Sequence, residues 1–485
     1  MRRFWVIALC LVVYPMYSSA AYGASPSVVK RSVVASIDKH SGELIQMSDQ
    51  IWAFAETALR EYRSAELLAS YAESNGFRVE RGIAGMPTAF LASFGEGSPI
   101  IAIMGEYDAL PGLSQKATAE KSPLVEGAPG HACGHNLFGA GSLGAALAIK
   151  EQIEAGKLKG TIRFYGTPAE EAVGGKTYMA RDGVFDDVDV MLAWHPGDKT
   201  VADVVTTQAM VDVIVEFKGR SAHAAYDPWN GRSALDGAEL FMHGVNLMRE
   251  HIKPSSRLHY SIVSGGDVPN VVPESAKVWM WARDWQRAEV EGLLARMRKL
   301  AEGAAIMTET SSSLSVQAGS WELLTNEAGA RLLNDNLQWI GVPKYSAEED
   351  RFARAIQRES GMKEEGMSAR IESLEGQEPE GGSTDVGDVS WVTPTLHLTV
   401  ATAPKGSPGH AWPIVASGGM SLGHKGMLLA AKTLAATMVD LYERPNARRA
   451  VREEFEAKKG EVQFKAYLPD GPPPVPPDTT AGASE

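Results

Sequence analysis

Four short stretches of this chain hold residue types that bind metals or move protons. GAPGHACGHNLFG, Gly127–Gly139, sets Cys133 and His135 between glycines. TPAEEAVGG carries the adjacent pair Glu170 and Glu171. AWHPGD contains His195, and KGSPGHAWP contains His410. Taken singly each is weak, because paired glutamates and lone histidines most often face solvent and a lone cysteine most often fills a packed turn. Taken together, one thiol, three imidazoles and one carboxylate (Cys133, His135, His195, His410 and Glu171) match the donors of zinc and its first-row neighbours, zinc before manganese. Five ligands exceed the needs of one tetrahedral catalytic ion. Two divalent ions sharing them would each keep a position open for water or substrate. Glu170 is then the spare carboxylate, suited to take a proton from water and pass it to a leaving amine.

These residues can meet only if the fold brings them together. PIIAIMG (Pro99–Gly105), GTIRFYG (Gly160–Gly166), DVDVMLAW (Asp187–Trp194) and TPTLHLTVATA (Thr393–Ala403) read as buried strands. Helical periodicity lies over about 27–80, over Gly141–Gly156 and over Gly423–Glu443. Alternating strands and helices predict an α/β domain with a mostly parallel sheet and helices on both faces. Asp108, Glu170 and Glu171, His195 and His410 each come at or just past a predicted strand end. Ligands bind at the carboxyl ends of strands in such sheets.

Near Thr206 the pattern changes to β-α-β-β-α-β, the ferredoxin-like α+β unit. It predicts an inserted lid or dimerisation domain at 206–320, flanked by a discontinuous catalytic domain at 25–205 and 321–445. The charged segment 340–380 reads as helix plus loop. Residues 446–485 form an extension whose end, LPDGPPPVPPDTTAGASE, has the composition of a disordered tail.

The N-terminal 24 residues have two arginines, an apolar run of about a dozen residues and small residues before a cleavage point, the layout of a signal peptide. The expectation is a periplasmic or secreted protein with no membrane association after processing. Cys10 leaves with the leader, so Cys133 has no disulfide partner. It is either a small buried residue or a metal-held thiolate. The net charge of −13 over 485 residues argues against a nucleic-acid partner. Two other function classes compete. GMSLG, Gly419–Gly423, fits the serine-hydrolase elbow at Ser421, but only His424 follows it and no acid lies between. A non-enzymatic binding module of peptidase-like fold would be expected to lack Glu170 or a ligand.

The motifs GEYDALPGLSQ, GHACGHNLFG, TPAEEAVGGK, AWHPGD, GRSAHAAYDPWNGRSALDGAELF, PNVVPESA, STDVGDVSW and GSPGHAWP together resemble the metal-dependent amidohydrolase and carboxypeptidase family. That family includes aminoacylases, carboxypeptidase G and indole-acetyl-amino-acid hydrolases, and the likeness covers about 30–445. It implies hydrolysis of the amide of an N-acyl or N-aroyl amino acid or dipeptide, a small-molecule substrate, by a two-metal catalytic domain. It implies Cys133, His135, Glu171, His195 and His410 as ligands, Glu170 as base, and a homodimer formed through the lid. It also implies that His223, in the lid, donates to the substrate oxygen as charge develops, and that Asn270 contacts substrate. Arg283 is implied to hold a substrate carboxylate. Many relatives have His-x-Asp where this chain has Glu106-Tyr107-Asp108, and that histidine binds metal. Here the cysteine takes over, which leaves Asp108 to orient a ligand or touch the metal directly. The acyl-side pocket is expected to draw on the lid and on loops around Ser383–Trp391.

Overall fold

The computed structural model describes residues 26–379 and 381–476. The leader sequence 1–24 lies outside the described residues. The larger sheet has seven strands: β1 (Arg78–Arg81), β2 (Phe90–Glu96), β3 (Ile100–Gly105), β4 (Gly160–Gly166), β5 (Val190–Gly197), β6 (Val201–Ala202) and β11 (Thr395–Ala401). Their order is β1-β2-β4-β3-β5-β11-β6. β4, β3, β5 and β11 run parallel, as expected. The β1–β2 hairpin pairs antiparallel on one side and β6 on the other. The central strands are buried almost throughout, which is why they read as continuous apolar runs rather than alternating ones.

Helix His135–Glu154 packs between helices Val28–Phe54 and Ser421–Glu443. It is buried on every side over its first four turns, so its sequence is apolar and small all round. Gly144 shows the closeness of the fit, since a Cβ there would lie 2.5 Å from Leu44 Cδ1. Its N-terminus is fixed at the edge of the sheet, where the site forms. Among the described residues, no helix is long and apolar enough to cross a membrane.

The inserted unit has the order β10-β7-β9-β8, formed by β7 (Ala209–Lys218), β8 (Arg257–Ser264), β9 (Ser275–Asp284) and β10 (Ser311–Ser320). Helices Ala234–Met248 and Arg287–Thr308 connect them. Alternate residues Val211, Val213, Val215 and Phe217 of β7, with Val278 and Met280 of β9, form its own apolar core under the helices. The period-2 alternation of these strands reflects one covered face. Segment 340–380 contains helix Ala347–Glu359 followed by irregular chain.

The C-terminal extension departs from its composition. Helix Pro445–Lys459 is followed by an ordered strap, not a loose tail, as far as Pro476. Phe464 lies against the ring of Trp321, which also meets Trp391 edge-on. Tyr467 joins the lid core, while Leu468 and Val475 pack on the main core. Prolines preclude regular structure but not packing, and these four apolar side chains supply the contacts. Residues 477–485 of the expected tail lie outside the described residues.

Candidate active site

The expected convergence occurs at the carboxyl end of the large sheet. β3 delivers Glu106 and Asp108, β4 delivers Glu170 and Glu171, and β5 ends around His195. His410 sits on the loop after β11, and His135 is the first residue of its helix. Cys133, His135 and His195 place one ligand atom each within 4.8 Å of one another. Cys133, Glu171 and His410 do the same, so the cysteine is common to both groups. Cys133 Sγ is 3.3 Å from His195 Nε2, and His410 Nε2 is 3.3 Å from Glu171 Oε2. All five expected ligands are thus in one cluster.

The backbone around them is held in costly conformations. Gly134, between Cys133 and His135, has φ 79°, and a Cβ there would lie 2.7 Å from Pro196 Cβ, next to His195. Only glycine fits this turn. His410 has φ 54° and donates its N–H to Ala132 O, tying its loop to the Cys133 turn. Ala169, just before the glutamate pair, has φ 61°. Non-glycine residues persist in that region only where their surroundings hold them there. Two buried carboxylates do so here. Glu61 accepts the Ala169 N–H at 2.9 Å, and Asp108 Oδ2 accepts the Glu171 N–H at 2.9 Å. Asp108 Oδ1 also bonds His135 Nδ1 at 2.9 Å, the contact by which a carboxylate orients a ligating imidazole.

The charges fit a divalent cation. Burial, followed by the Glu106 and Glu171 carboxylates, pushes Glu170 well above the usual range. Burial is the first cause that raises Glu171 to about 7, with Asp108 and Glu106 adding to it. Burial also raises the Cys133 thiol and, with His135, lowers His195 to about 4, keeping it in the neutral form that ligates. His135 Nε2, Glu171 Oε1 and both Glu106 oxygens are buried without a hydrogen-bond partner. Crowded carboxylates and unfilled donor atoms are what a bound cation relieves.

Sequence reasoning missed three charged residues here. Glu106 was visible only as a departure from a pattern. Lys176 and Asp385 lay within quoted motifs with no chemical cue, and the fold reveals that they meet Glu106. Burial would lower the Lys176 ammonium, but Asp385 and Glu106 more than reverse this, holding it above the usual lysine value. Glu61 gave no sequence signal at all.

The lid residues are elsewhere. Segments around Ala222–Ala224 and Asn270–Val272 pair, which sets His223 beside Asn270. Both are exposed, away from the ligand cluster. His223 Nδ1 accepts the N–H groups of Ala225 and Tyr226, so Nε2 carries the proton and is a donor. Arg283 stacks on Trp281 and donates to Ser383 Oγ at 3.0 Å, so its guanidinium already has a protein partner. The Ser383–Trp391 expectation is corrected in part, since Val386–Ser390 is a buried helix and Trp391 packs in the domain junction. Ser421 is no nucleophile. Its hydroxyl donates to Glu349 at 2.7 Å, and His424 bonds Asp49 instead.

The match with known proteins agrees with this geometry. Residues 102–480 match the model of peptidase family M20/M25/M40, and the chain belongs to that family. It is 38% identical over 478 residues to a p-aminobenzoyl-glutamate hydrolase polypeptide of Escherichia coli K12, one of that enzyme's two kinds of chain, covering 92% of this chain and 99% of the relative. It is 28% identical to a mouse Xaa-Arg dipeptidase, over 94% and 98% of the two chains. A Bacillus subtilis structure described as a dinuclear metal binding peptidase from the M20 family superposes with TM-score 0.59 at 18% identity, over 84% and 98% of the chains. The protein is therefore an amide-bond hydrolase with a catalytic domain and an inserted lid.

Proposed function

We propose that this chain is a dinuclear metal-dependent amidohydrolase that cleaves N-acyl amino acids or dipeptides, with N-aroyl amino acids of the p-aminobenzoyl-glutamate type as the leading class. The observation that carries this is the pair of ligand groups sharing Cys133, with Glu170 beside them and in neither. Divalent ions held there would supply Lewis acidity and acidify a water; the donor set suits zinc and tolerates manganese. The chain's own residues do the rest. Glu170 accepts the proton of the attacking water and returns it to the leaving nitrogen. Asp108 holds His135 in the tautomer whose Nε2 faces the cluster. The resemblance to relatives at the level of whole-chain identity supports the substrate class. Metal content of protein purified without chelator, with hydrolysis of a panel of N-acyl amino acids and dipeptides, tests the reading. About two ions per chain with chelator-sensitive cleavage supports it; no ion and no cleavage after metal addition would remove it.

We further propose a homodimer through the lid. β8 is an edge strand whose outer hydrogen-bonding row is unpaired. Ile262, Val263 and Val268 on or near it are exposed, as are Tyr226 and Trp229 beside His223. A second copy would cover them, and His223 would serve the neighbouring site. His223→Ala is expected to keep metal and fold but lower kcat by about 10²–10³-fold. Mixed with inactive Glu170→Gln chains it should recover activity, because one site per mixed dimer is then complete. No recovery on mixing would confine His223 to its own chain, and unchanged kcat would end its role. The leader composition supports export, which N-terminal sequencing of the mature protein checks.

A further inference from the structure

Beside the ligand cluster lies a buried charge set that the proposed hydrolysis does not use. Lys176 is fully buried on the short helix Gly175–Arg181, five residues after Glu171. Its Nζ is 2.7 Å from Glu106 Oε1 and 2.6 Å from Asp385 Oδ1. Its backbone N–H donates to Asp385 Oδ2 at 2.9 Å, so Asp385 grips the residue at both ends. The second Glu106 oxygen lies 2.9 Å from His135 Nε2. Glu106, His135 and Glu170 bring ligand atoms within 4.8 Å of one another.

Stability does not account for this arrangement. A buried ion pair is often no better than apolar residues of the same volume. Nor does packing need a lysine at a position with no exposed surface. What the trio achieves is placement. Asp108 fixes His135 through Nδ1, and Glu106 is the only carboxylate set against Nε2 among the described residues. An unrestrained carboxylate there could swing into the ligand cluster or away from it. Lys176 removes that freedom by taking the other oxygen.

We propose that Lys176 is a positioning residue for the metal centre, acting through Glu106: anchored by Asp385, it fixes the Glu106 carboxylate against His135 and thereby sets how tightly the ions are held. This rests on the metal-centre reading above. Lys176→Met, titrated with zinc in competition with a chromophoric chelator, is expected to bind about ten- to a hundredfold more weakly than wild type. That variant leaves two buried carboxylates unpaired and could lose its fold. The neutral combination Glu106→Gln, Lys176→Met, Asp385→Asn keeps shape without charge. Its metal-free Tm should return close to the wild-type value while its zinc affinity stays reduced by at least about tenfold. Wild-type affinity in Lys176→Met, or recovery of both Tm and affinity in the neutral combination, overturns the proposal. A wild-type chain that takes up neither zinc nor manganese overturns the metal-centre reading itself, a result distinct from wild-type uptake with unchanged Lys176→Met.

Discussion

Glu170→Gln will retain its metal and lose about 10²–10⁴-fold in kcat, the range that a positioned general base contributes. That is a loss of about 3–5 kcal/mol of transition-state stabilisation, since each tenfold is about 1.4 kcal/mol. The amide fills the same volume, so the strained turn at Ala169 and the Glu61 and Asp108 contacts that hold it are untouched. Only the ability to accept a proton is gone. Burial and the adjacent carboxylates raise this group far more than an exposed glutamate, which strengthens it as a base. Single-turnover hydrolysis and elemental analysis on the same preparation decide the matter. Turnover near wild type would remove Glu170 as the base. Loss of an ion would instead move Glu170 into the ligand set with Glu106 and His135, its neighbours in space.

Cys133→Ser will deplete both ions, not one, because the sulfur is the member common to the two ligand groups. A serine hydroxyl stays protonated where a metal-held thiol does not. The effect reaches stability as well as activity. At free metal one hundred times its dissociation constant, binding stabilises the folded chain by about 2.7 kcal/mol. A hundredfold weakening would remove nearly all of that, so the rise in Tm on adding zinc should shrink sharply in the variant. Full occupancy and an unchanged zinc-dependent Tm would return Cys133 to the role of a small residue in a packed turn. Metal protection also answers why a chain with one unpaired cysteine tolerates it at a cleft. Burial already disfavours the free thiolate, so without a cation the residue has little reactivity to offer.

Much of this site was legible in one dimension because parallel α/β sheets place function at strand ends. Buried strands are apolar runs with abrupt polar ends, so Glu170, Glu171 and His195 announced their places, and the inserted unit announced itself by switching from continuous runs to period-2 alternation. The five ligands could be named from their donor chemistry before any geometry was known. Composition misled where it measures propensity alone. The proline-rich strap to Pro476 is ordered because Phe464, Tyr467, Leu468 and Val475 find apolar partners on both domains, which no count of prolines foretells.

Other features exist only in three dimensions. Lys176 and Asp385 are 209 residues apart in the chain and meet in a site with no solvent. A lysine and an aspartate in sequence are most often solvated, and nothing local marks these as exceptions. Glu61, 108 residues from Ala169, is likewise an unremarked helix-start residue until the fold lays it under the strained turn. Which nitrogen of His223 carries the proton was decided by two backbone N–H groups of its own loop. The sequence alone determined the donors, the strands that carry them and the class of chemistry, because those depend on residue type and short-range periodicity. The tertiary structure decided which carboxylate holds which imidazole, because long-range contacts between charges depend on burial, and burial is a property of the whole fold.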